Sequence, residues 1–243
     1  YTPTKGLQNR HLSVCASHGR YYNNSKNKWE WQRPYIYCTT EDLLTQTIVV
    51  PFLIPMLQNA GAVVYSPRER DWQCNEIIVD NDSPTYNGLY EEKNVGTLWE
   101  KSALPGFANP KKIYVDNENP FAMGTARNVR TTNNRANVTE SAWIPNVTEA
   151  GNYAVYVSYQ SNPDAVSSAQ YTVYHCGVAT KYYVNQKMGG STWVYLGTFY
   201  FSKGQSRENC VVLTNYSNEK GTVSADAVRF GGGMGNIARG FNE

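Results

Sequence analysis

The chain has 243 residues, with 22 Lys and Arg against 20 Asp and Glu, for a formal charge of +2. Charged residues make up only 17% and aromatic residues 13%; the average soluble protein is roughly 25% charged. The longest basic runs are pairs such as Lys111 and Lys112, so a nucleic-acid binder, which needs clustered Lys and Arg, is excluded.

The first element in chain order is a short apolar run at 11–16, which predicts a strand ending at Ser17-His18-Gly19. Residues 21–37 read as a polar aromatic loop containing Trp29 and Trp31. A helix follows: Thr39 and Thr40 are capping residues, and Glu41 and Asp42 suit the positive end of the helix dipole. Leu43, Leu44, Ile48, Phe52, Met56 and Leu57 recur at helical spacing. Pro51 and Pro55 inside that run predict a kink or a break. They also interrupt the most apolar stretch, 48–57, which is too short for a membrane span of roughly 20 residues. A second strand at 62–65 completes a strand, loop, helix, strand unit, the pattern of a parallel sheet.

From residue 74 the helical period disappears. A strand is expected at 76–80, then turn-rich sequence, then strands at 152–159, 170–175, 181–184, 193–201, 210–213 and 222–230. Glycine turns between them predict an antiparallel sandwich of the jelly-roll kind. The fold class is therefore a partial α/β domain with a parallel sheet plus an all-β sandwich. Trp143 and Trp193 are expected as core anchors, and His11 and His175 as structural residues. The five cysteines, Cys15, Cys38, Cys74, Cys176 and Cys210, form no CxxC pair and are expected to be mostly buried free thiols. A Cys176–Cys210 bridge is the alternative. No charged-then-apolar leader opens the chain, so any leader is expected to be absent or removed. The Tyr-, Asn-, Gly- and Trp-rich composition suits an exported protein.

Ser17-His18-Gly19 at a strand end, Glu41 opening the helix, Asn59-Ala60-Gly61-Ala62 before the next strand, and Arg68 with Asp71 after it resemble zinc-dependent N-acetylmuramoyl-L-alanine amidases. The resemblance implies that His18 and Glu41 are zinc ligands, with Arg68 and Asp71 as a supporting pair. The family's third ligand and its catalytic Glu find no match here. The strand-rich part resembles the golvesin C-terminal-like domain, also called the xanthan-lyase carbohydrate-binding-like domain. Its matches include Ile78-Val79-Asp80-Asn81-Asp82, Ala142-Trp143-Ile144-Pro145, Trp193-Val194-Tyr195-Leu196-Gly197 and Asp226-Ala227-Val228-Arg229-Phe230. Together the resemblances divide the chain into an amidase-like segment at 1–73, a golvesin-type sandwich at 74–232, and a Gly-rich joint at 233–243 returning toward the α/β part. They imply that the rest of a catalytic fold follows Gly235 and that this chain alone is inactive.

Zinc chemistry needs an imidazole and a carboxylate converging at about 2.0–2.2 Å on one ion with an open water position. A strand end and a helix start on one side of a parallel sheet bring such residues together. Tyr21, Trp29, Trp31 and Arg33 border that position and are candidate glycan contacts; otherwise they anchor the loop to the domain. The leading expectation is a fragment of a secreted, periplasmic or cell-surface bacterial zinc hydrolase acting on peptidoglycan. The alternative is a non-catalytic carbohydrate-binding or spacer module. A polysaccharide lyase ranks third, because no Tyr, His and Arg cluster can be assigned to proton abstraction.

Overall fold

The computed structural model describes residues 6–23, 25, 26, 28–66, 73, 75–108 and 118–232. These fall into two units, the first made of the described residues up to Ser66 and the second of Gln73–Gly232.

In the first unit β1 (His11–Ser13) leads to a hairpin of β2 (Arg20–Asn23) and β3 (Lys28–Trp31), then to short β4 (Tyr35–Ile36) and β5 (Thr39–Thr40). The expected loop at 21–37 is thus largely paired backbone. Aromatic residues stand at both parities of the hairpin, which hides the period-two signal of a strand. Helix α1 (Glu41–Ile48) then opens with its two carboxylates in the first turn. It runs into a π-helical turn at Val49–Leu53, where the Ile54 N–H donates to Val49 O, five residues back. Pro51 has no N–H, and its ring would clash with the Thr47 carbonyl in a regular helix, so the wider turn relieves the conflict. The expected kink or break takes the form of a π-helical turn, through which the helix continues. Helix α2 (Ile54–Asn59) ends at Gly61, whose φ of 98° needs the freedom of glycine. The return strand β6 (Val63–Tyr65) pairs parallel with β1, in the register His11 to Val63.

Ile54, Ala62 and Val64 form the small core there, joined by Leu12, Val14 and Leu57. Leu44, Ile48, Phe52 and Met56, expected on one helical face with Leu57, are exposed. The π turn shifts the helical phase, so Val50 and Ile54 take the inward positions.

The second unit is antiparallel β throughout its named sheets. Its strands are β7 (Glu76–Asp80), β8 (Gly88–Lys93), β9 (Glu100–Gly106), β10 (Gly124–Arg130), β11 (Glu140–Pro145), β12 (Gly151–Val157), β13 (Ala169–His175), β14 (Val178–Val184), β15 (Val194–Phe201), β16 (Cys210–Thr214), β17 (Thr222–Ala225) and β18 (Ala227–Gly231). A four-stranded sheet in the order β15-β12-β18-β7 faces a five-stranded sheet in the order β14-β13-β16-β11-β8, and β17-β10-β9 form a third. Alternate residues of the facing strands meet between them: Val79, Tyr153, Val155 and Phe230 from one sheet, Trp143, Tyr171, Val173 and Leu213 from the other. Each such buried side chain contributes roughly 1.5–3 kcal/mol by removal from water.

The stretch 222–230, expected as one strand, is two strands in different sheets. The break is at Asp226, which is fully buried. Its carboxylate accepts from Phe107 N at 3.0 and 3.1 Å and from Ser158 Oγ at 2.5 Å, and its carbonyl accepts from Trp143 Nε1 at 3.0 Å. A carboxyl group held by two donors, with the backbone carbonyl held by a third, fixes the chain where it crosses from one sheet to the next. Trp143 is the core anchor expected. Trp193 is not: it lies outside the main core, with Phe107 and Phe121 at 4.9 and 5.3 Å.

The cysteines also depart from expectation. Among the described residues Cys15, Cys38 and Cys176 are exposed thiols and Cys210 is buried, its thiol pushed up to about 12 by desolvation. Both Cys176 and Cys210 are free, so they form no bridge; Cys74 lies outside the described residues. Cys176 sits in the tight β13–β14 turn with φ at 51°, which turns it out of the strand.

Candidate functional site

The first unit brings His18 and Glu41 together. His18 Nδ1 lies 3.9 Å from Glu41 Oε1 and also 3.9 Å from Asp42 Oδ1. The left-handed backbone of Ser17, φ 74°, turns the chain at the end of the β1 segment, and Ser17 Oγ lies 3.1 Å from His18 Nδ1. Glu41 and Asp42 arrive from the other side as the opening residues of α1. Arg33, carried on the segment after the hairpin, completes the cluster. Its backbone N–H donates to Asp42 Oδ2 at 3.0 Å, while its side chain lies over the imidazole, Nη2 3.1 Å from Nε2 and Nε 3.4 Å from Nδ1.

Arg33 Nε donates toward Nδ1 and its Nη2 lies beside Nε2; because one ring nitrogen carries the proton, only the other accepts from the guanidinium. Asp42 is the residue sequence reasoning left out. It is fully buried and its Oδ1 has no hydrogen-bond partner. The signal was its place next to Glu41, read as helix-dipole compensation only.

The residue types suit zinc, but the arrangement does not. Two ligands at about 2.1 Å in tetrahedral geometry stand roughly 3.4 Å apart, somewhat closer than the two 3.9 Å separations here. More decisively, a guanidinium lies against both ring nitrogens. Among the described residues no three His, Cys, Asp or Glu side chains are grouped to hold a metal ion. Arg68 and Asp71, the expected supporting pair, lie outside the described residues.

The expected glycan contacts do not share one surface. Cross-strand pairing sets Tyr21 opposite Glu30, whereas Trp31 pairs with Arg20, so Tyr21 and Trp31 fall on opposite faces of the hairpin. Tyr21 is exposed and Trp31 half-buried; the Trp29 side chain lies outside what is described. Arg33 is committed to His18. Glu30 accepts from Asn23 Nδ2 at 2.8 Å and Lys26 Nζ at 3.0 Å, a hairpin clamp. His11 packs edge-on against Tyr65, and His175 Nε2 lies 2.9 Å from Thr180 Oγ1.

In the second unit an aromatic row crosses the outer face of the four-stranded sheet. Register sets Tyr195 opposite Tyr156, Tyr156 opposite Arg229, and Arg229 opposite Ile78. The Tyr195 and Tyr156 rings lie 5.5 Å apart, and the Arg229 guanidinium sits 4.1 Å over Tyr156 and 5.6 Å from Trp193. Arg229 is buried and its Nη1 lies 3.9 Å from Glu76 Oε2. The cation over Tyr156 helps hold that ring, which is tilted 50° to the Tyr195 ring. Tyr195 and Tyr200, both on edge strand β15, remain about half exposed on this face, with Thr198 between them bonded to the Tyr195 hydroxyl at 3.0 Å. The signal missed in the sequence is Arg229, a charge in the middle of an otherwise apolar strand.

No described helix is long and apolar enough to cross a membrane. A stretch of 88 residues, 36% of the chain, is 31% identical to a xanthan lyase of Bacillus sp. (strain GL1). The match covers a tenth of that protein's length. Among solved structures, a Paenibacillus xanthan lyase aligns over 65% of this chain and 13% of its own, at 22% identity and a TM-score of 0.48. The C-terminal CBM6 of LamC, a marine laminarinase from Zobellia galactanivorans, aligns over 65% of this chain and 99% of its own, at 15% identity and a TM-score of 0.36. Within the second unit, residues 118–232 match the family described as the Golvesin C-terminal domain.

Proposed function

We infer that the second unit is a non-catalytic carbohydrate-binding module of a polysaccharide-associated protein that works outside the cytoplasm. The observation that carries this reading is the outer row Tyr195, Tyr156 and Arg229 with Tyr200 beside it. Half-exposed tyrosine rings offer apolar faces for sugar rings and hydroxyls for their polar edges, on an edge strand paired along its length with β12. The Golvesin match and the similarity to a xanthan lyase support a polysaccharide context. The lyase's own reaction is not carried over by a match to a tenth of its length.

Affinity electrophoresis in gels containing xanthan, and separately neutral β-glucan, tests the reading. Retardation by one polysaccharide that disappears in Tyr195→Ala/Tyr200→Ala, with the melting temperature unchanged, is the expected result. Mobility unaffected by every polysaccharide, or retardation insensitive to both substitutions, removes it.

One observation favours a second reading of the first unit. His18 and Glu41, from separate segments, share one small volume. On that reading the unit derives from a zinc-dependent amidase acting on peptidoglycan, completed by other parts of a longer protein. Muropeptide release by the longest natural chain is its test, and an inactive, zinc-free full-length protein eliminates it.

A further inference from the structure

Tyr195 and Tyr200 stand an odd number of residues apart on β15, and in a regular strand such a pair points to opposite faces. A β-bulge reverses this. Pairing runs from Tyr195 with Tyr156 to Gly197 with Val155, so the register skips Leu196. Beyond the bulge Thr198 lies opposite Ala154 and Tyr200 opposite Asn152. Val155 and Leu196 belong to the core, so both tyrosines emerge on the outward face. Gly197 makes room for the bulge: a Cβ there would lie 2.7 Å from Phe199 Cζ and 2.8 Å from the Tyr182 hydroxyl oxygen. At roughly 3.3 Å per residue the two rings stand up to about 16 Å apart along the strand, well beyond one sugar ring. The charged residues at outward positions of the four strands are Arg229, Asp80 and Glu76. Arg229 and Asp80 are buried, and Glu76 is mostly covered beside Arg229. A carboxylated sugar laid across the tyrosines therefore meets no accessible cation at these positions.

We propose that β15 binds the interior of an uncharged polysaccharide chain, with Tyr195 and Tyr200 stacking on separate sugars of one chain and the bulge at Leu196 aligning them. The proposal rests on the carbohydrate-binding reading of the second unit and adds the charge and the minimum length of the ligand. Stacking of each ring is worth up to about tenfold in affinity, so a ligand long enough to reach both is held more tightly than one that reaches a single tyrosine. Binding of this kind is insensitive to salt, because no exposed ion pair is formed.

Affinity gels containing uncharged hydroxyethylcellulose, galactomannan or laminarin, set against gels containing carboxymethylcellulose, xanthan or polygalacturonate, test the charge. The expected result is retardation by at least one uncharged polymer, about tenfold or more stronger than by any carboxylated one and unchanged when salt is raised tenfold. A smaller ratio, or release by salt, overturns the proposal and leaves carbohydrate binding standing; no retardation by any polymer removes both. Calorimetry with oligosaccharides cut from the retarding polymer tests the span. A hexasaccharide is expected to bind about tenfold more tightly than a disaccharide, and Tyr195→Ala or Tyr200→Ala alone to cancel that gain. Equal binding of the two lengths by the wild-type protein overturns the proposal without recourse to variants, as does a gain that survives both single substitutions.

Discussion

Phe230 and Phe52 show how differently the two units treat one residue type: Phe230 is fully buried, Phe52 is 62% exposed. Phe230 lies on a strand whose inner face meets a second sheet, so every alternate position finds apolar partners. Phe52 lies on a helix laid over a sheet of only two described strands, and such a sheet covers a single stripe of the helix. Apolar spacing alone therefore does not specify burial. The number of layers available to receive the side chains decides it.

Four experiments break or sharpen this contrast. Trp143→Ala removes a fully buried indole and the bond it donates to the Asp226 carbonyl. A loss of about 3–5 kcal/mol is expected in the transition of the second unit, followed by near-ultraviolet circular dichroism in urea. A small effect would mean that the sandwich is not the better-packed unit.

Asp226 gives a pH signature next in size. Burial pushes its carboxyl up to about 7; the Ser158 and Phe107 hydrogen bonds oppose this and the charge of Asp82 adds to it. The folded state holds a proton that the unfolded chain, with a value near 3.9, gives up. Stability is therefore full below about pH 4 and falls by the order of a few kcal/mol as pH rises through about 7. Urea midpoints measured from pH 4 to 8 show this slope in wild type and a flatter profile in Asp226→Asn. Identical slopes would place the proton elsewhere.

Ile54→Ala in the first unit is expected to cost about 2–4 kcal/mol in that unit's own transition, since Ile54 centres its small core. The smallest effect belongs to Phe52→Ser/Met56→Ser. Both side chains are exposed, so stability changes by less than about 0.5 kcal/mol while binding of a hydrophobic dye drops. Strong destabilisation by this pair would show that the exposed face is in fact covered.

Much of the second unit was legible in its residues. Alternation in 152–159 and 170–175, with the glycine turn at 149–152 before the first, located β12 and β13 well, because large apolar residues recur at every second position. β8, β9 and β10 escaped notice: Glu91, Glu92 and Lys93 in β8 and Pro105 in β9 interrupt alternation, and only cross-strand pairing makes them strands. The split of 222–230 at Asp226 was illegible for a different reason, since the sheet change depends on donors from Phe107 and Ser158, both distant in sequence. At the candidate cluster the resemblance pointed to His18 and Glu41, which the fold brings together. The positions of Asp42 and Arg33 relative to the imidazole follow from a hairpin that the aromatic-rich sequence concealed.

The wide turn at Val49–Leu53 amounts to one extra residue wound into the helix. Each residue rotates an α-helix by about 100°, so excising one position between Val49 and Leu53 would spin everything after it by more than a quarter circle. Ile54 would leave its seat against Val64, and a different side of α2 would be presented to the strands. The proline thus works as an indexing device: it chooses which apolar residues the small sheet receives and which are left facing outward.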